Sequence, residues 1–161
     1  MSVTNPYESF LDGRPAEEIL GGTVNQIAYL LAKMGAEKVS VAPAPGKWNP
    51  AEIIAHLADC EIVFAFRLRQ TLAEDGPTIQ PFDQDKWAGV SQYANLPASE
   101  ALAVFSELRK WNLLLIKRAL PTAADRVMIH PERGKMTFKT VVETMAGHDL
   151  NHLAQLQRIA G

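Results

Sequence analysis

Two histidines lie four positions apart near the end of the sequence, in a segment whose apolar residues recur at helical spacing. On a helix, His148 and His152 stand about 40° apart around the axis and about 6 Å apart along it, on the same side as Met145. Both imidazoles therefore point into the core, where an unpaired ring nitrogen costs about 1–3 kcal/mol. One metal ion at about 2.0–2.1 Å would satisfy both rings, and a pair of hydrogen-bonded core histidines is the alternative.

A third histidine, His56, lies on another predicted helix. Asn49 is a suitable N-cap for that helix, with Pro50 at its first position and Glu52 three residues after the cap. His56 then falls at one edge of the buried side. Three inward histidines on two helices supply the ligand number of an open catalytic metal site. The sequence therefore predicts a metal centre with three ligands: His56, His148 and His152.

Several polar residues of the same helix have two interpretations each. Glu52 and Asp59 flank His56, and either could accept a hydrogen bond from an imidazole or act as a general base. Cys60, one turn after His56, could be a ligand or nucleophile, but free cysteine is commonly a buried apolar side chain, which we favour. Arg67 could hold an anionic substrate group, although we favour pairing with a buried carboxylate.

Two other segments are predicted to have no part in the site. His130 precedes Pro131 outside the predicted helices and is interpreted as an exposed loop histidine. The charged run at 107–110 predicts a solvated helix face. The sequence contains no glycine-rich phosphate loop and no nucleophile elbow, so the chemistry is expected to depend on the metal ion.

Four long helices are expected to position these residues. Apolar spacing predicts helices over 15–34, 50–73 and 98–119, and a last helix capped by Thr137. Residues 1–13 are predicted to be irregular, and 36–49 to be a loop. The connection at 74–97 is long, with a short helix expected at 83–93, and either a loop or a small hairpin is expected around 132–134.

The composition of the chain is that of an ordinary globular protein. With 161 residues the chain is expected to form one domain, and 47% hydrophobic and 21% charged residues are ordinary for a globular protein. A formal net charge of −2 gives no electrostatic footprint for nucleic acid. We expect no membrane partner, because no apolar run of about 18 residues occurs. Because the sequence has a single cysteine and no signal peptide, we expect a cytoplasmic location.

The sequence resembles the DinB/YfiT-like family of metalloenzymes. The resemblance depends on WNPAEIIAHLADCE at 48–61 followed by Arg67, on GKMT at 134–137, and on GHDLNHLAQL at 147–156. These segments occur in the family's order across nearly the whole chain. The resemblance implies an all-α four-helix bundle with a long connection between its second and third helices, and a metal held between the second and fourth by His56, His148 and His152.

The resemblance also implies a range of functions. Family members with known activity include metal-dependent transferases that use a low-molecular-weight thiol, and a thiol-dependent isomerase. For this chain they imply a divalent transition metal, zinc or nickel, a thiol or water as nucleophile, a small-molecule substrate and a homodimer. A thiol-dependent S-transferase or related hydrolase is expected, and a non-catalytic, stress-related protein that binds a metal or small molecule is the alternative.

Overall fold

Segments with apolar residues at helical spacing form the four long helices of a bundle, as the sequence predicts. The computed structural model describes residues 5–161. Its helices are α1 (Glu8–Leu11), α2 (Ala16–Val39), α3 (Pro50–Ala73), α4 (Gln84–Val90), α5 (Ala98–Ala123) and α6 (Phe138–Ala160). Its strands are β1 (Val127–His130) and β2 (Gly134–Thr137), and a single 3₁₀ turn occupies Tyr93–Asn95.

The two helices that carry the site histidines begin where the sequence predicts. At the start of α3, the Asn49 side chain accepts the N–H of Glu52 at 2.9 Å, and the Glu52 carboxylate accepts the N–H of Asn49 at 2.8 Å. At the start of α6, the Thr137 hydroxyl accepts the N–H of Thr140 at 3.1 Å. These caps satisfy backbone donors that the first turn leaves without helical partners, and so define where each helix begins.

The core lies between the long helices. The largest interfaces are those between α2 and α6 and between α3 and α5. Buried apolar side chains fill two clusters, and both include residues of α2, α3, α5 and α6. The predicted all-α four-helix bundle is confirmed. None of the helices within residues 5–161 combines the length and apolar character needed to span a membrane.

Several element boundaries differ from the prediction. Gly35 takes a φ of 74° and breaks the helical backbone, but the chain then returns to helix up to Val39, where a loop was expected. The next-to-last long helix continues through Pro121 to Ala123. Because Pro121 lies in the final turn, its missing N–H removes only one helical hydrogen bond. Within the segment expected to be irregular, residues 8–11 form one helical turn, and residues 1–4 lie outside the described part.

The long connection is attached to the hairpin. The N–H of Ile79 donates to the carbonyl of Ile129 at 3.0 Å, and the N–H of Ile129 donates to the carbonyl of Pro77 at 2.8 Å. Of the two structures expected around 132–134, a loop or a hairpin, the chain forms the hairpin, with β1 and β2 antiparallel, and a short helix, α4, occurs within the predicted range. Backbone hydrogen bonds therefore give this part of the connection a defined position beside the bundle.

Glycines inside the long helices have different surroundings. Gly21 is exposed within continuous helix, and a methyl group there would meet no atom within 4 Å, so neither its packing nor its backbone requires a glycine. A methyl group at Gly147, directly before His148, would lie 2.5 Å from the backbone oxygen of Tyr7. The N-terminal segment therefore packs closely against α6 at Gly147, where the absence of a Cβ leaves room for Tyr7.

We expect opposite effects on stability from two glycine-to-alanine substitutions. Gly147→Ala should lower the free energy of unfolding by about 1–3 kcal/mol, because Tyr7 must move to admit the methyl group. Gly21→Ala should raise it by about 0.4–1 kcal/mol, because alanine costs less conformational entropy in a helix. Urea unfolding of both variants measures the difference. Equal effects would show that the Tyr7 contact does not restrict residue 147.

Candidate metal centre

The three predicted histidines meet inside the bundle. The Nε2 atom of His148 lies 3.2 Å from Nε2 of His56 and 3.1 Å from Nε2 of His152. The ring centroids of His56 and His152 are 4.9 Å apart. The exposed fractions are 1% for His56 and 6% for each of the other two. One imidazole from α3 and two from α6 thus direct a ring nitrogen toward one buried region.

The separations of His148 Nε2 from the other two Nε2 atoms fit a shared metal ion. Nitrogen ligands about 2.0–2.1 Å from a tetrahedral ion stand about 3.3 Å apart, and adjacent ligands of an octahedral ion about 2.9 Å apart. The two measured separations lie between these values. Three Nε2 atoms cannot all pair with one another, because each neutral ring offers either one proton or one lone pair there, although the Cys60 thiol also lies 3.4 Å from Nε2 of His56. The donor set therefore fits a metal ion.

Gln155 orients one of the three rings. Nδ1 of His152 donates to the side-chain oxygen of Gln155 at 2.8 Å, which places the proton on Nδ1 and the lone pair on Nε2. This is the tautomer that a metal ligand needs, and such an outer partner also fixes the plane of the ring. Sequence analysis missed Gln155, although its position three residues after His152 on the same helix was the available signal.

Burial keeps all three imidazoles neutral. Burial, with a smaller contribution from His152, lowers the pKa of His56 to about 3. The pKa of His148 lies well below its usual value, first because of burial and then because of its two histidine neighbours. Burial also lowers the pKa of His152, although Gln155 and Asp149 act in the opposite direction. Neutral imidazole is the form that coordinates metal ions.

Cys60 is a fourth donor beside the histidines. Its Sγ atom lies 3.4 Å from Nε2 of His56 and 4.0 Å from Nε2 of His148, so these three residues also form a group that could hold a metal ion. The side chain is buried, as predicted. Burial raises the pKa of the thiol well above its usual value, and Asp149 and Asp59 raise it further. Two ligand triplets that share two histidines are thus available.

The two acidic residues that flank His56 have other roles in this structure. Glu52 completes the capping box of α3. Asp59 accepts a hydrogen bond of 2.5 Å from the hydroxyl of Tyr93, which belongs to the long connection. Neither carboxylate has a hydrogen bond to an imidazole among residues 5–161. Their positions on the helix were compatible with that role, but nearer partners use them.

Arg109 overturns the prediction of a solvated run at 107–110. Its side chain is only 2% exposed, and its guanidinium forms ion pairs with Glu61 at 2.8 Å and Asp149 at 2.6 Å. Bidentate bonds to both carboxylates and one bond to the carbonyl of Leu20 use all five N–H donors. Burial alone would lower the pKa of Arg109, but Asp149 and Glu61 raise it overall.

This buried ion network connects the four long helices at the level of the site. Arg109 comes from α5, Glu61 from α3 and Asp149 from α6. Thr23 of α2 donates its hydroxyl hydrogen to Asp149 at 2.7 Å, and Asn112 of α5 donates to Glu61 at 2.9 Å. The two acidic residues directly follow Cys60 and His148 in the sequence. The network therefore fixes the backbone that carries the donor atoms.

Removal of the central charge should destabilise the bundle strongly. Arg109→Met leaves two carboxylates buried without a cation, so we expect the free energy of unfolding to fall by about 3–5 kcal/mol. The neighbouring Lys110 pairs with Glu107 at the surface, with 66% and 74% of their side chains exposed, and Lys110→Met should cost only about 0–1 kcal/mol. Denaturant titration compares the two variants. Similar losses would contradict the assigned role of Arg109.

Two cavities reach the histidine cluster. The first has a volume of about 130 Å³ and is lined by His56, Cys60, Phe64, Arg67, His130 and Arg133, among others. His130 is therefore not the exposed loop residue that was predicted; only 6% of it is exposed, because the hairpin folds it inward. A second cavity of about 540 Å³ is lined by His152, Trp48, Gln155 and Arg158, among others. His56 and His148 thus line the first cavity, and His152 lines the second.

Arg67 departs from the role that we favoured for it. Within residues 5–161 it forms no ion pair with a carboxylate. Its Nη2 atom donates to the backbone carbonyl of Gln80 at 2.9 Å. The guanidinium lines the first cavity. The buried carboxylate that we favoured as its partner is not found among residues 5–161.

Fold and site together define a helical bundle that carries a histidine-rich candidate metal centre. The chain belongs to the DinB superfamily, whose sequence model matches residues 21–156. This family agrees with the resemblance drawn from the motifs around the three histidines.

The similar proteins are bacterial. The chain is 28% identical over 164 residues to a protein of Oceanobacillus iheyensis named "Putative metal-dependent hydrolase OB0782", covering 97% of this chain and 95% of that protein. A Geobacillus kaustophilus protein with the same kind of name is 26% identical over 138 residues, covering 84% and 76%. The solved structure of YfiT from Bacillus subtilis, titled a probable metal-dependent hydrolase with an unusual four-helix bundle topology, superposes with a TM-score of 0.82 at 20% identity, covering 89% of this chain and 83% of YfiT. The last likeness supports the fold alone.

Proposed function

We propose that the chain is a metal-dependent enzyme whose divalent ion, zinc or nickel, is held by His56, His148 and His152. The observation that carries this proposal is the meeting of three neutral imidazoles at a point that two cavities reach. Catalytic sites combine three protein ligands with an open position in a concave pocket, whereas structural sites close on four protein ligands. The names of the similar proteins, which refer to metal dependence, support the presence of the ion.

The reaction that this arrangement suits best is group transfer between two small molecules. A bound divalent ion would polarise an oxygen or lower the pKa of a thiol or water. The chain's own residues separate two cavities around that point, so a low-molecular-weight thiol and an electrophilic substrate can approach from different sides. We therefore propose a thiol-dependent S-transferase, or a related hydrolase in which water replaces the thiol.

Tyr7 is suited to assist at this site. It lines both cavities, and its ring lies edge-on to His148 with centroids 5.4 Å apart. Burial raises the pKa of its phenol, with Arg133 acting in the opposite direction, so the hydroxyl stays protonated at neutral pH. A protonated phenol can donate a hydrogen bond to a ligand or supply a proton to a leaving group.

A specific observation favours the non-catalytic alternative. If Cys60 bound the ion together with the three histidines, four protein ligands would close the coordination shell. The chain would then be a metal- or small-molecule-binding protein, associated with stress responses in the alternative considered above. The homodimer implied by the resemblance is likewise a proposal, which light scattering of the purified protein would measure.

Metal content distinguishes these ligand sets. We expect about one zinc or nickel ion per chain in the purified protein, and almost none in His148→Ala, because that ring is common to both triplets. His130→Ala is the matched control, since His130 is equally buried but lies outside the cluster, and it should retain the metal. Cys60→Ala should also retain it. Loss of the ion in Cys60→Ala would favour the closed, structural site, and a metal-free native protein after growth with added zinc and nickel would contradict the centre.

Activity is expected to depend on the same ion. We expect metal-loaded protein to consume an electrophile together with one of several cellular thiols, while His152→Ala shows only the background rate because it lacks a ligand. Mass spectrometry of the products identifies the transferred group, and controls without thiol detect hydrolysis. Equal rates for the native protein and His152→Ala would contradict an enzymatic role.

A further inference from the structure

One face of α3 forms a wall of the first cavity from the histidine cluster to Arg67. His56, Cys60, Phe64 and Arg67 follow one another at spacings of four, four and three residues, so they share one side of the helix. The wall is polar at both ends and apolar between them. Met136 and Val141 add apolar surface to the same cavity.

Arg67 brings a cation into this cavity without a carboxylate partner from the described residues. The comparison within the chain is Arg109, which uses every N–H donor and pairs with two carboxylates. Arg67, by contrast, has one hydrogen bond to a backbone carbonyl, that of Gln80. Burial lowers the pKa of Arg67, and the charge of Arg133, which lines the same cavity, lowers it further. A bound anion would relieve both effects.

His130 adds a neutral donor to the same cavity. Its Nδ1 atom accepts the backbone N–H of Glu132 at 3.2 Å, so the ring proton resides on Nε2. Burial, followed by the charges of Arg133 and Arg67, lowers its pKa, so the ring is neutral at pH 7. The Glu132 side chain also lines the cavity, so its side chains carry two positive charges and one negative charge before any metal ion is counted, which favours an anionic ligand.

We propose that this cavity binds a small carboxylic acid, with its carboxylate at Arg67 and its reacting group at the three histidines. The inference deepens the proposed function and rests on it. A guanidinium matches the two oxygens of a carboxylate through parallel hydrogen bonds. The middle of the ligand is apolar, as required by Phe64, Met136 and Val141.

The size of the cavity limits the ligand. A volume of about 130 Å³ is slightly below that of an engineered protein cavity of about 150 Å³ that accommodates benzene. The acid therefore has a short chain or a single small ring. It is either the electrophilic substrate or the carboxylate-bearing end of the thiol, because both would present the same group to Arg67.

Matched ligands test the charge recognition. We expect butyrate to bind the metal-loaded protein about 10- to 100-fold more tightly than butyramide, which has nearly the same shape but no charge. Calorimetric titration measures both affinities. Arg67→Gln should abolish the preference, Arg67→Lys should keep part of it, and Arg118→Gln should keep all of it, since Arg118 is exposed on α5. Tighter binding of inorganic phosphate than of butyrate would overturn the assignment to a carboxylic acid.

Metal analysis separates this inference from the proposed function. Arg67→Gln should still contain about one ion per chain, because Arg67 is not a ligand. In metal-free His148→Ala the preference for butyrate should persist. If His148→Ala lost this preference while Arg67→Gln kept it, the carboxylate would bind the ion, and the inference would be overturned. Native protein that binds metal without any preference for butyrate would also overturn it, while the proposed metal centre would stand.

Steady-state kinetics of the Arg67→Gln variant identifies which reactant carries the carboxylate. Once a substrate pair is known, Arg67→Gln should raise the KM of one reactant about 10- to 100-fold and leave the other unchanged. A raised KM for the electrophile assigns the acid to that substrate, and a raised KM for the thiol assigns it to the thiol. Unchanged KM values for both reactants would contradict the inference.

Discussion

The structure depends on the alignment that a buried guanidinium imposes on four helices. Arg109 can satisfy its five donors only if α3, α6 and the carbonyl of Leu20 on α2 are all in register with α5. Buried ion pairs add little net stability, because the cost of removing charges from water offsets their attraction. A displaced helix, however, would leave Glu61 or Asp149 without its cation, so the network selects one arrangement of the bundle. Apolar packing alone tolerates small shifts more readily.

That alignment determines the chemistry of the neighbouring donors. Glu61 and Asp149 each follow a residue whose side chain enters the cluster, Cys60 in one helix and His148 in the other. The network of one guanidinium and two carboxylates has a formal charge of −1, which favours a cation nearby. The histidines themselves are neutral because they are buried. Neutral ligands beside a net negative network are favourable for a divalent ion.

The sequence predicted those features that local patterns determine. The caps of α3 and α6 depend on residues within one turn, so Asn49 and Thr137 were identified correctly. The inward side of a helix follows from its apolar spacing, and the three histidines predicted to point inward lie beside one another in the structure. The turn residues around 132–134 allowed either a loop or a hairpin, and the chain forms the hairpin. These signals require no knowledge of how the helices pack.

Features that depend on partners distant in sequence were missed. Arg109 lies in a charged run, and only its contacts with helices 40 and 48 residues away show that it is buried. His130 was predicted to be exposed because it precedes Pro131, but the hairpin carries it into the cavity. The pairing of Arg67 with a carboxylate, which we favoured, was wrong for a related reason. The partner of a side chain depends on the tertiary fold, which local spacing does not give. Local spacing predicts which side of its helix a residue lies on, whereas the neighbours of its side chain depend on how the helices pack.

The same network also bears on whether the site is open. Closure of the coordination shell by Cys60 requires its thiolate, and the pKa of this thiol is raised first by burial and then by Asp149 and Asp59. A bound ion would have to offset all three effects, whereas the neutral imidazoles are ready to coordinate without losing a proton. The carboxylate that aligns α6 therefore also disfavours a fourth protein ligand. The first cavity, which His56, Cys60 and His148 line, offers space for an external thiol or water instead.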